Sequence, residues 1–510
     1  MKRITYLIFL ASMAGITSCS KQLDQEPVSD ISVTSLFQNA NDFLLATNGA
    51  YSKLKTVPTN WMWMEEMRSD NLNVTTDGNR DFQGIKNFSP NLTTTGFIVN
   101  AWQNNFNGIS NANVALDAIA TKGPDYLSPA QITRYTAECR FMRAFYYFDL
   151  VKYYGRLPIV DKPLLTDEFG KIPRFSLDSV YKFLIADFEY AEANLPVSWP
   201  SADVGRATSL AAKGMLGLVY MTRSGPVLPS GPGLNSNEWT KAQSYFDQVI
   251  SSGKFTFART YPEIFSYTNE NNKEVVFDVQ YATSINGADF PSQLVPDSYW
   301  GGPGLGTSYG NGYGSANYNV SANMTQSFRN SAGAGVIDIR DTFSIKKAFV
   351  TTTAANAPLD TTRPFIKKYL NVALKGKDRA DWPVNFIVLR YTDVLMMKAE
   401  CILHGAPGPA DYADTVVSWV RTRAGVPAAP AKVDLPYLME ERRREFLGEA
   451  IRWNDLVREN MFVTTMNAWR ASDALTSTIQ QVIPEYSVYP IPQADILAKP
   501  GLYDQNQGYY

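Results

Sequence analysis

The chain has 510 residues, 45% hydrophobic and 19% charged, and its formal net charge of −2 gives no electrostatic reason to expect a nucleic-acid partner. Three cysteines and one histidine, His404, leave no convincing zinc ligand set and no Cys-His or Ser-His nucleophilic constellation. A mature chain of about 490 residues can bury one large core or two joined ones.

Lys2 and Arg3 precede an apolar run from Ile4 to Ile16, shorter than the roughly 20 residues that a transmembrane helix needs. Residues 1–18 therefore read as a signal peptide. It ends in Ile16-Thr17-Ser18-Cys19, where a small residue precedes a cysteine placed to become the lipidated first residue of the mature protein. Loss of Lys2 and Arg3 with the leader takes the formal charge to −4. No later apolar stretch is long enough to span a bilayer, so the expected attachment is through acyl chains on Cys19. Residues 19–35 are polar, contain Pro27 and read as an extended tether.

A first helix is expected from about Asn41 to Lys55, with Phe43, Leu44, Ala50, Tyr51 and Leu54 on its apolar side. The segment Trp61 to Asn71, WMWMEEMRSDN, follows. Read as extended, it points Trp61 and Trp63 to the same side, as either a ligand surface or a packing wall. The spacing of Trp102, Phe106, Ile109 and Leu116 predicts a helix over Phe97–Ala120, with Trp102 in its core face. Ser128-Pro129-Ala130-Gln131 supplies an N-cap, a proline at the first helical position and a capping glutamine. The helix so opened runs to about Tyr154, where Gly155 ends it. Further helices are expected at Leu177–Asn194, Ser209–Thr222 and Glu238–Ser251, as helix pairs without a clean repeating consensus. Cys139 and Cys401 sit in helical apolar periodicity, where a free thiol behaves as a small hydrophobe.

From about Phe255 to Asp381 the composition shifts to Gly, Ser, Thr, Asn and Tyr, with strand-like pieces such as Glu274 to Tyr281. The section Pro296 to Asn319, PDSYWGGPGLGTSYGNGYGSANYN, has no helical period and reads as a long irregular loop, a feature usually tied to function. Tyr299, Trp300, Tyr309 and Tyr313 provide rings against which the C–H faces of a sugar can pack, and Asn311 provides hydrogen bonds for its hydroxyls. Trp300 is the expected main platform, and Trp61 and Trp63 are further candidates.

Helical patterning returns at Leu389–Leu403, Asp411–Gly425 and Glu440–Asn460. In the last of these, Phe446, Ala450, Trp453 and Val457 share one face of a single expected helix, opposite a charged stripe of Glu441, Glu445, Glu449, Arg452, Asp455 and Glu459. Arg442 and Arg443 fall in or near the apolar arc and therefore need partners, because an unpaired buried charge costs several kcal/mol.

The run E-R-R-R-E-F-x-x-E-A-x-R-W-x-D-L-V-R, from Glu441 to Arg458, together with the ending VYPIPQADILAKPGLYDQNQGYY, resembles the C-terminal signature of the SusD/RagB family of Bacteroidetes outer-membrane nutrient-binding lipoproteins. The Leu23-Asp24 to Pro27 entry, the Ser69-Asp70-Asn71 ending, the Arg143–Gly155 segment, Leu389–Glu400 and Val417–Gly425 are similarly family-like, so the resemblance covers nearly the whole chain. It is weakest from Tyr281 to Asp381. It implies a mainly α fold: a tetratricopeptide-like helix-pair scaffold with long irregular ligand-binding loops and a few short strands. An N-terminal region, 36–254, and a C-terminal region with loop insertions, 255–510, are expected to pack as one globular unit. The implied function is capture of an oligosaccharide or polysaccharide for a SusC-like TonB-dependent transporter, from a lipid-anchored position at the outer membrane that faces the cell exterior.

No cofactor is expected. The glycines from Gly301 to Gly314 lack the residues of a phosphate-binding loop, and Asp77, Asn79 and Asp81 give only a faint calcium-loop echo, so no metal is assigned. A glycosidase needs two carboxylates roughly 5–10 Å apart, and no pair is singled out, so no catalytic residue is expected. The alternatives to glycan capture are peptide capture within the same family and a helical surface glycoside hydrolase.

Overall fold

The structure is a computed structural model and describes residues 36–510, apart from 75–79, 166, 167, 169, 294, 297, 298, 300–317, 353–355, 431 and 473–477. Its frame is a succession of helices: α1 (Ala40–Tyr51), α2 (Gly96–Thr121), α3 (Pro129–Tyr154), α4 (Leu177–Asn194), α5 (Ser209–Ser224), α6 (Trp239–Ser251), α7 (Tyr391–Leu403), α8 (Tyr412–Arg423), α9 (Leu435–Glu445) and α10 (Arg452–Arg458). Each packs on the next in order. This nearest-neighbour stacking is the tetratricopeptide-like arrangement, and it continues from α6 to α7 although residues 252–390 intervene.

Local sequence sets the helix starts. Asn39 and Asp42 form a capping box on α1, as Ser128 and Gln131 do on α3, while Ser176, Thr208 and Asp434 cap α4, α5 and α9. Gly155 ends α3 with φ of 68°. Glycine also permits the close approach of α2 to α3: a Cβ on Gly108 would lie 2.4 Å from Cε2 of Tyr146. The Tyr146 hydroxyl donates to the Ala50 carbonyl at 2.8 Å, which joins α1 to the same contact.

The intervening chain adds short strands. β1 (Leu72–Val74) pairs antiparallel with β3 (Tyr318–Val320), Leu72 facing Val320. β2 (Val275–Val279) pairs antiparallel with β4 (Phe386–Arg390), Val275 facing Arg390 and Val279 facing Phe386. Two further two-residue pairings join Ile345–Lys346 to Phe365–Ile366 and Phe349–Val350 to Leu359–Asp360. The main core extends from Phe37 to Tyr509, and a smaller one lies between α7, α8 and α9 around Val416, Val420 and Leu438.

Two expectations are corrected. The Trp61–Asn71 segment is not extended: a short helix, Val57–Trp61, continues into a π-helical turn, Met62–Glu66. The Glu440–Asn460 stretch is not one helix either, because α9 stops at Glu445 and α10 begins at Arg452. In the turn between them Gly448 and Ala450 have φ of 79° and 56°. Their amides donate to the two carboxylate oxygens of buried Glu66, at 3.1 and 3.2 Å, and those tertiary bonds replace the helical ones.

Candidate functional site

The charged stripe of α9 and α10, opposite the apolar face in helical projection, is buried. Glu441, Glu445, Glu449, Arg452 and Asp455 are each at most 5% exposed, as are Arg442, Arg443 and Arg444. Many of their partners come from two other family-like segments, Leu389–Glu400 and Val417–Gly425, and others from Arg340 and Lys368. Glu441 meets Arg340, Arg421 and Arg444 at 2.7, 3.1 and 2.7 Å. Glu445 meets Arg340, Arg390 and Arg423 at 3.2, 3.0 and 2.6 Å. Glu449 meets Lys368 and Arg390 at 2.8 and 2.7 Å. Arg442 bridges Asp393 and Asp455, and Arg458 joins Asp455 to Glu400. Burial alone would raise the carboxyls of Glu441 and Glu445, but the surrounding guanidiniums, led by Arg340 and Arg423 respectively, hold both down at about 2.

This network grips the segment after the π-turn. Arg452 forms a fork on the Asp70 carboxylate at 2.9 and 3.1 Å, and Arg443 reaches the Asp70 carbonyl and the Asn71 side chain at 2.8 and 2.9 Å. Asp70 is pushed up by burial, yet Arg443 and Arg452 outweigh that and hold it well below the usual carboxylate range. Arg68, fully buried, donates to the Tyr486 carbonyl at 2.8 Å and the Tyr509 hydroxyl at 3.1 Å. Its guanidinium also lies over the rings of Phe88 and Tyr489 at 4.4 and 4.3 Å.

The expected ligand loop is rooted on this frame. On its N-terminal side, the Tyr299 ring packs against Phe349 and Phe365, with centroids 5.5 and 5.0 Å apart. On its C-terminal side β3 pairs with β1, and Ser321 donates through its backbone to the Asn71 carbonyl and through its hydroxyl to the Asp70 carbonyl, both at 2.8 Å. Arg443 also donates to Asn323 at 2.8 Å, so one guanidinium ties the Asp70–Asn71 segment to the chain just beyond the loop. Trp300, Tyr309, Asn311 and Tyr313 lie outside the described residues, as do Cys19 and the Asp77 and Asn79 positions of the calcium-loop echo.

Trp61 and Trp63 belong to the core, which corrects their candidacy as ligand contacts. Trp61 is 6% exposed and donates to Asp149 at 2.8 Å. Trp63, 3% exposed, packs against Phe82 and Phe97 with centroids 4.6 and 4.8 Å away. Trp102 is buried edge-on to Tyr154, as its helical face predicted. Cys139 and Cys401 are buried free thiols, pushed up by burial, Cys139 to about 12. No group of His, Cys, Asp and Glu suited to a metal ion occurs among the described residues.

A feature that sequence reasoning missed is an open cleft of about 770 Å³ lined by residues 197–208 and 254–278, Trp199 and Phe257 among them. Neither ring lies in a motif. The cleft exists because segments distant in sequence meet, so the only local signal was a tryptophan in a polar turn.

The "SusD family" profile matches residues 342–509, and a second, described as "starch-binding associating with outer membrane", matches 21–221. A SusD-like protein of Formosa agariphila is 23% identical across the whole of both chains. The starch-binding protein SusD of Bacteroides thetaiotaomicron is 24% identical, over 75% of this chain and 74% of its own. Among solved structures, a SusD homolog from Bacteroides thetaiotaomicron superposes with a TM-score of 0.77 at 21% identity, covering 94% of this chain and 98% of that one. The surface glycan-binding protein A of the same species, in complex with laminarihexaose, gives 0.76 at 22% identity, over 92% of this chain and all of the other. Two profile matches that together take in most of the chain, relatives aligned along it and a shared fold lead to one assignment: the chain belongs to the SusD/RagB family.

Proposed function

We propose that this protein is a lipoprotein anchored through Cys19 at the outer membrane, facing the cell exterior, which captures an oligosaccharide and passes it to a SusC-like TonB-dependent transporter. It has no catalytic step of its own in this reading. The observation that carries the reading is the rooting of the aromatic-rich 296–319 segment: one root is the Tyr299–Phe349–Phe365 ring cluster, the other a strand held through Asp70 and Asn71 by Arg443. Fixed roots beneath a Gly- and Tyr-rich loop limit the entropy lost when rings settle on a flat ligand. The starch-binding and laminarihexaose-bound relatives favour a glycan over a peptide.

Trp300 is the proposed stacking platform, supported by Tyr299, Tyr309, Tyr313 and Asn311. Capture at the loop would be followed by closure of the lipoprotein over the channel mouth. The test is a binding screen over neutral polysaccharides and peptides, followed by isothermal titration of wild type and Trp300→Ala with the best ligand. A loss of roughly ten- to hundredfold in affinity is expected, with the melting temperature unchanged. Unchanged affinity would remove Trp300 as platform, and a screen answered only by peptides, or one in which the ligand is cleaved, would replace glycan capture.

A further inference from the structure

The open cleft formed by residues 197–208 and 254–278 shares no residue with the loop of the proposed function. Its volume of about 770 Å³ falls in the range of about 300–1,000 Å³ typical of small-ligand sites. Trp199 is fixed by its indole N–H, which donates to the Ala207 carbonyl at 2.8 Å. Phe257 is half-buried, with the Arg423 guanidinium 3.9 Å from its ring. Trp419, at a ring-to-ring distance of 6.4 Å from Phe257, is 49% exposed and continues the aromatic surface past the cleft. A half-exposed indole beside a cleft is an arrangement suited to stacking on a flat ligand.

The cleft gathers several cations. Lys254, Arg259 and Lys273 line it, are exposed, and form no ion pair among the described residues. The fourth cation, Arg206, is already paired with Glu138 and Asp203. The cleft's own carboxylates are turned to other partners. Glu274 accepts from the Ala258 amide, from the amide and hydroxyl of Thr392, and from Arg423. Glu263 accepts from the Arg259 amide and the Thr260 hydroxyl. Asp278 is buried and accepts from Gln280 and Asn385. Three cations without an ion-pair partner among the described residues thus stand at one opening, beside the carboxylate of Glu263, which has no cationic partner among them either, and low-dielectric walls focus the resulting positive field on an incoming anion.

The amides do less. Asn269 and Asn272 donate within the wall itself, and Asn271 donates to Gln280 beside it. Recognition therefore falls to rings and cations, a combination that suits flat rings bearing carboxylates. We infer that this cleft is a second binding site, separate from the loop, for an acidic oligosaccharide whose uronate carboxylates meet Lys254, Arg259 and Lys273 while its sugar faces lie along Phe257 and Trp419.

The test uses the whole mature protein and isothermal titration with hexagalacturonate, neutral maltohexaose and hexaglutamate. Hexagalacturonate should bind, more weakly at 0.3 M than at 0.05 M salt, because the screening length shortens by roughly two- to threefold over that step. The combined variant Lys254→Gln, Arg259→Gln, Lys273→Gln should weaken it by about tenfold or more, and Trp419→Ala by about tenfold. All four positions are at least one-third exposed, so melting curves should not move. Absence of hexagalacturonate binding, wild-type affinity in the triple variant, or equal affinity for hexaglutamate would overturn the site. Loss of hexagalacturonate on Trp300→Ala with none in the triple variant would also overturn it, by moving the anionic sugar to the loop.

Discussion

Arg443 and Asp70 stand 373 positions apart in sequence, yet the guanidinium donates to the Asp70 carbonyl at 2.8 Å and lies 3.2 Å from its carboxylate. Arg443→Ala would leave Asn71, Asn323 and part of Asp70 without their donor inside the protein. The expected cost is about 2 to 4 kcal/mol. Chemical denaturation of the two forms checks it, and an unchanged midpoint accompanied by lost ligand affinity would make Arg443 a binding residue.

Acid should act through Glu441 and Glu445. Both carboxyls are held at about 2 in the folded protein, against 4.5 ordinarily. A depressed carboxyl stabilises the fold fully above its unfolded value and loses that contribution as pH falls towards the folded one. Each is expected to contribute about 3 kcal/mol at neutral pH, with the urea midpoint dropping steeply between pH 4.5 and 2. A flat profile over that interval would contradict the ion-pair hub.

Asp278 should work in the opposite sense. Burial raises its carboxyl from 3.8 to about 7, so the stability it confers is complete below pH 3.8 and is lost as pH rises through 7. The difference in stability between pH 5 and pH 8 should therefore shrink in Asp278→Asn, read from denaturation curves at the two values. An identical difference in wild type and variant would mean the carboxylate is charged throughout.

Trp63→Ala tests the move of this residue from surface to core. Removing a buried indole packed against Phe82 and Phe97 should cost about 3 to 5 kcal/mol and leave the loop ligand's affinity intact. A stable variant with weakened binding would restore Trp63 to the ligand surface.

Cys19→Ala should release the protein from membranes and abolish fatty-acid labelling. Equal retention of both forms without label in either would reject the anchor.

The elements most legible in the sequence were those fixed by local chemistry. Ser128 with Gln131 announced α3, Gly155 its end, and the spacing of Trp102 and Ile109 predicted α2 and its buried face. The demand that Arg442 and Arg443 find partners was also legible, since burial of a guanidinium carries that requirement with it. The identity of the partners was not, because Asp393, Asp70 and Asn323 come from distant segments and Asp455 comes within reach only where the chain turns between α9 and α10. For the same reason the burial of the charged stripe was not legible: helical projection shows which side a residue faces, not whether another segment covers it. The break at Gly448 was hidden too, as the acceptor that captures its amide, Glu66, is 382 positions away. Trp61 and Trp63 were misplaced through a wrong period, two residues apart on a strand being unlike two apart on a helical turn.

Arg68 and Glu66 also set an order of events. During synthesis the segment around them leaves the ribosome long before Gly448, Tyr486 or Tyr509, whose backbone and hydroxyl groups are its buried partners. Until those residues arrive, two charged side chains destined for the interior must stay in water and hold the N-terminal helices open around them. A chain broken off before Tyr486 would thus carry its damage some 400 residues upstream, as protease-sensitive sites between Trp61 and Asn71, so the early part of the molecule closes only when the late part is present.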